Sequence, residues 1–190
     1  LTIPFRRSCA DNLNEVYEVQ VMTFQIGEKV VYPNHGVGTI ENIGTRTTGV
    51  RPERFYLLRL TVNNMVVMVP CHHADGVGLR KVTKQSEVAR VLCFLAGGKC
   101  RSARDWKDRF KENSEKMQHG SLLEISEVLK TLLILQQGKP LSFREKKMLD
   151  RARRMLITEV CIARGMSEGD AVCLLDKALE KSQLRLPVAM

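Results

Sequence analysis

Residues 99–111 concentrate the side chains that could act on another molecule. Six bases, Lys99, Arg101, Arg104, Lys107, Arg109 and Lys111, surround the sole tryptophan, Trp106. Asp105 has the residue type and position of a helix N-cap, which puts Trp106 in a first helical turn beside the positive end of the helix. Two readings fit. Trp106, Phe110 and Met117 stand at helical spacing and could form a core stripe. Alternatively, Trp106 projects as an apolar wedge into a nucleic-acid groove, with Arg109 and Lys111 on phosphates. A second basic set, Arg144, Lys147, Arg151 and Arg154, repeats at three- and four-residue spacing and forms a ridge on one helix face. Cys71, His72 and His73 are the one cluster with metal-ligand chemistry. Consecutive side chains on an extended segment point to opposite faces and no second ligand pair is near, so no metal is expected. The chain has no G-x-S-x-G, H-E-x-x-H, Walker loop or G-x-G-x-x-G, since Gly36 and Gly38 lie between strands and open no helix. A binding protein without a cofactor is expected rather than an enzyme.

The bulk numbers set the class of partner. At 190 residues, 44% hydrophobic and 27% charged, the chain can build one large or two small cores and is not disordered. Its formal charge of +9 and pI near 9.5 suit a polyanionic partner. The excess is uneven: 22–80 holds six bases against four acids, and 81–182 holds twenty-one against fourteen. The six cysteines are scattered, without a C-x-x-C pair, and read as reduced thiols in cytoplasm without a structural disulfide. No apolar run reaches the roughly 18 residues that span a bilayer.

The elements that must position these residues fall into two blocks. In 24–70 the pattern is short and β-rich, with strands expected at 28–32, 37–43, 55–61 and 65–69, a hairpin turn at Asn63 and Asn64, and a polar loop at 44–54 carrying Arg46, Arg51 and Arg54. After Pro70 the period becomes helical, and Gly76 and Gly78 are expected in a linker. Ser86 opens a helix with Val88, Val91, Leu92 and Leu95 inward, ended by Gly97 and Gly98. Ser121 with Glu124, and Ser142 with Glu145, have capping-box spacing. The first opens a helix burying Leu122, Ile125, Leu129, Leu132 and Leu133; the second opens one burying Met148, Leu149, Ala152, Met155, Leu156 and Val160. A last amphipathic helix covers 167–182. The fold class is therefore α+β, strands then helices: a small Tudor-like or SH3-like β-barrel followed by an all-helical domain of about five helices. The domains expected are a disordered extension or mis-set start at 1–21, the barrel at 22–75, the helical domain at 76–182 and a frayed tail at 183–190.

Three motifs together resemble the CarD (CdnL) family of bacterial transcription regulators over 22–182. They are F-x-I-G-E-K-V-V-Y-P-N-H-G-V-G at 24–38, D-W-K-D-R-F-K-E-N at 105–113, and L-S-F-R-E-K-K-M-L-D-R-A-R-R-M-L at 141–156. The first alone is shared with the polymerase-binding module of transcription-repair coupling factor. The resemblance implies a nucleoid-associated monomer that docks its barrel edge-to-edge on the RNA polymerase β subunit, sets its helical domain at the upstream edge of the transcription bubble in promoter DNA, and stabilises the open complex by wedging Trp106 there. It assigns polymerase contact to Thr45, Arg46 and Thr47, with Met68 standing where the family has a second base. It assigns DNA contact to Trp106, Arg109, Lys111, Lys146 and Lys147, with Asp108 standing where the family often has a base. Two other functions are compatible with the residues: a protein-interaction module without DNA contact, and a sequence-specific repressor.

Overall fold

In the strand β1 (Lys29–Tyr32), Val30 and Val31 are both buried. Neighbouring strand residues face opposite sides, so β1 is covered on both. Pro33 ends it, and Asn34 turns the chain at φ 63° while the His35 N–H donates to the Tyr32 carbonyl at 3.0 Å. The strands β2 (Gly36–Thr48), β3 (Arg51–Leu60), β4 (Val66–Pro70) and β5 (Arg80–Lys81) complete an antiparallel sheet of order β4-β3-β2-β1-β5. Phe24, Val30, Ile40, Tyr56, Leu58, Leu60, Val69, Ala74 and Leu79 form its core. This computed structural model describes residues 24–48, 51–100 and 105–187. The expected extension at 1–21, with Arg101 and Arg104, lies outside the described residues.

Three features of the sheet depart from expectation. Of the segment expected as a polar loop at 44–54, residues 44–48 and 51–54 instead form the far arm of the β2–β3 hairpin, with Thr45 opposite Arg54, Arg46 opposite Glu53 and Thr47 opposite Pro52. It is polar because the arm runs past the core, where side chains on both faces meet water, and the backbone ladder continues through it. The expected barrel is an open sheet, since β4 and β5 are edges that do not pair with each other. The chain around Gly76 and Gly78, expected as linker beyond a boundary near 75, returns to the sheet: Gly78 turns at φ 75°, Leu79 is buried in the sheet core, and β5 pairs with β1. The Asn63–Asn64 turn is where the sequence puts it, with Asn64 at φ 55°.

Five helices come after the sheet: α1 (Gln85–Gly97), α2 (Trp106–His119), α3 (Leu122–Gly138), α4 (Phe143–Arg164) and α5 (Glu168–Glu180). α3 is buried along Leu122, Ile125, Val128, Leu129, Leu132 and Leu133 and centres one core with the inward faces of the others. Ser142 and Glu145 make the expected capping box, with backbone bonds of 3.3 Å and 3.0 Å. Ser121 and Asp105 occupy N-cap positions but make no side-chain cap bond. In the tail expected to fray at 183–190, Leu184 is nevertheless buried and the Leu186 N–H donates to Asp176 Oδ1 at 2.8 Å, while Gln183 and Arg185 are exposed. Apolar side chains there still find core to cover. Residues 188–190 lie outside the described residues.

Among the described residues the two blocks meet at several places. Gly120, at φ 71°, caps α2 so close to Pro33 that a Cβ would approach its ring at 3.3 Å. The start of β2 packs on α4. Arg80 of β5 pairs with Glu159 of α4. No helix among the described residues is long and apolar enough to cross a membrane.

Candidate functional site

Trp106 is the first residue of α2 and 56% exposed, with Lys107 Nζ 5.9 Å from its ring centroid. The core-facing line of α2 is Arg109, Asn113 and Met117, and Phe110 is half-buried. The stripe expected from Trp106 through Met117 therefore exists only in its lower part. An indole held more than half in water contributes little to a core.

Arg109 corrects a sequence expectation. It is buried, with only 5% of its side chain exposed, and its Nη2 donates to Glu145 Oε1 at 3.1 Å. It therefore fastens the first turns of α2 and α4 together rather than meeting a phosphate. Withdrawing this buried guanidinium from its partly buried carboxylate partner costs several kcal/mol, which no single surface phosphate contact returns. Burial by itself would raise the Glu145 carboxyl. Bonds from the Ser142 backbone and hydroxyl and from Arg109 outweigh it and hold the group below the usual carboxylate range.

The exposed bases lie beside this clamp. Lys111 on α2 and Arg144, Lys146, Lys147 and Arg151 on α4 reach the surface, as does Asp108. Arg154, expected to continue the ridge, is paired with Asp150 at 2.8 Å. Arg144, Lys147 and Arg151 rim a groove of about 290 Å³ between α2 and α4, floored by Phe110 and Met148, without an acidic residue in its lining. Phe143, absent from the sequence expectations, is 72% exposed at the first position of α4, and Lys147 Nζ lies 4.6 Å from its ring centroid. The only sequence signal was an aromatic directly after an N-cap serine, outside the apolar line of its helix.

On the sheet, register puts Arg46 and Met68 on one face: Arg46 lies opposite Glu53, and Met68 opposite Leu57, four residues further along β3. Thr45 and Thr47 are exposed on the other face of the arm. Arg46 sits within β2, not after it, and makes no ion pair among the described residues. β4 leaves one edge unpaired, and Met65, Val66 and Met68 there are each 41–44% exposed. Cys71, His72 and His73 form a 3-10 turn with both imidazoles exposed, and among the described residues no group of three or more His, Cys, Asp or Glu is placed to hold a metal. The cysteines among the described residues are free thiols.

Comparison with known proteins covers both blocks. Residues 24–83 match the family model described as CarD-like/TRCF RID domain, and 90–176 match the model described as CarD, C-terminal domain. The chain is 34% identical over 145 residues to "Putative transcription factor YdeB" of Bacillus subtilis (strain 168), which covers 76% of this chain and 95% of that relative.

Proposed function

The chain belongs to the CarD-like family of transcription factors, and from that premise we propose that it docks on the RNA polymerase β subunit through its sheet and holds promoter DNA open through its helices. The observation that carries this reading is the exposure of Trp106, an indole kept in water at the start of a helix and flanked by exposed bases. At the upstream edge of a transcription bubble, base steps are unstacked. An aromatic wedge there binds the melted form better than the closed one and shifts the equilibrium toward it. Lys111, Lys146 and Lys147, with Arg144 and Arg151 at the groove, supply phosphate contacts that position without reading sequence. Phe143 adds a second apolar surface beside them. Docking uses the open edge of β4, where an added strand satisfies outward-facing backbone groups; Met68 lies on that edge strand, and Arg46, two strands away on β2, shares its face of the sheet.

The test is Trp106→Ala on polymerase open complexes at a weak promoter, with saturating protein. Stability should change by less than about 0.5 kcal/mol, because little apolar area is lost. The open-complex half-life should fall at least fivefold, since base–aromatic contacts contribute about 1–3 kcal/mol. An unchanged half-life would leave an interaction module without DNA contact as the reading.

A further inference from the structure

We propose that Arg80 is a positioning residue that sets the distance and angle between the polymerase-docking sheet and the DNA-facing helices. This rests on the function proposed above. Glu159 is almost fully buried, and Arg80 meets it with two bonds, Nη1 to Oε1 at 2.7 Å and Nη2 to Oε2 at 2.9 Å. The Thr83 N–H donates to the same carboxylate at 3.1 Å, and the Thr83 hydroxyl also donates to it. Arg80 Nε then reaches the Gly120 carbonyl at 3.0 Å. One side chain from edge strand β5 therefore grips the C-terminal third of α4 and the C-terminal cap of α2. These are the two helices that carry Trp106 and the basic groove.

The chemistry of the joint suits orientation better than adhesion. Two packed apolar side chains would hold the blocks together at least as well, because a buried ion pair loses in desolvation much of what it gains by attraction. A fork-to-carboxylate pair differs in having essentially one allowed geometry. That matters for a protein with two weak contacts on one large assembly. The second contact forms at high effective concentration only if the spacing matches, and a loosened joint lowers that concentration while leaving each contact intact.

The experiment compares wild type, Arg80→Met, Glu159→Gln and the double variant Arg80→Met/Glu159→Met, all in the full chain. Three readouts are taken: affinity for the isolated β-subunit lobe, affinity for a forked oligonucleotide at low salt, and extension of open-complex half-life. The two separate affinities should stay within about twofold of wild type, while the half-life extension falls at least tenfold in the single variants and is not restored by more protein. The double variant keeps the joint packed without its charges, so it covers the case in which a single variant fails to fold. A folded double variant that still lacks the half-life extension supports the proposal. Full extension in a folded variant overturns it, as does a proportional loss in all three readouts by the folded double variant. A wild-type protein that extends no half-life overturns the proposed function itself, which is a different result from a loss confined to the variants.

Discussion

Arginines 109 and 80 show how little a residue's type says about its work. Both lie among surface bases in sequence, and both are spent on carboxylates from α4, 36 and 79 positions away. Glu145 carries a pH dependence whose direction follows from its lowered folded value. A carboxyl depressed in the folded state stabilises fully above its unfolded pKa, near 4.3, and loses that contribution as the pH falls through the folded value. Glu145→Gln should therefore cost about 2–3 kcal/mol at pH 7, because it leaves Arg109 buried against a neutral amide. The difference in thermal midpoint between this variant and wild type should shrink steadily below pH 4.3. At the surface, Lys146→Ala or Lys147→Ala should leave the melting midpoint unchanged and lower the salt dependence of forked-DNA binding by about one unit of slope each. Arg109→Ala should do the reverse, lowering the midpoint with little change in slope.

At the scale of the element, the β2–β3 hairpin presents Arg46 from a backbone ladder rather than from a loop. Its cross-strand neighbour is Glu53, so Arg46→Glu sets two carboxylates opposite each other and costs about 0.2–1 kcal/mol of stability. Reversing a close interfacial charge costs about 2–5 kcal/mol of binding, so affinity for the β-subunit lobe should fall at least thirtyfold while the variant stays folded. Undiminished binding would remove Arg46 from the docking surface. In α2 the division runs along the helix instead. Its buried line begins at Arg109, and the same helix that packs Met117 inward leaves Trp106 in water.

Across the whole molecule, the sheet depends on chain beyond residue 75. Leu79 fills its core and β5 pairs with β1, so a fragment ending at 75 loses both. A piece of about 60 residues has little stability to spare. Residues 22–75 should accordingly be largely unfolded by circular dichroism where 22–83 retains a cooperative melt. If the shorter piece melts as cooperatively as the longer one, β5 contributes nothing to the sheet.

What the sequence by itself determined was periodic or local. The strands of 28–69, the Asn63–Asn64 turn, the Ser142 capping box and the apolar faces of the helices arise from side-chain alternation and from bonds spanning three or four residues. The motifs at 24–38, 105–113 and 141–156 carried the family. What only the tertiary structure decided was cover. Periodicity says which face of a helix is apolar, but whether Trp106, Phe143 or Arg109 is wet depends on chain that arrives from far away. Glu159 stands between Ile157 and Val160 in sequence, yet nothing near it names Arg80 as its partner. The arm at 44–54 reads as a loop because its polarity reports solvent on both faces, while its strand character resides in backbone bonds to residues that side-chain pattern does not encode.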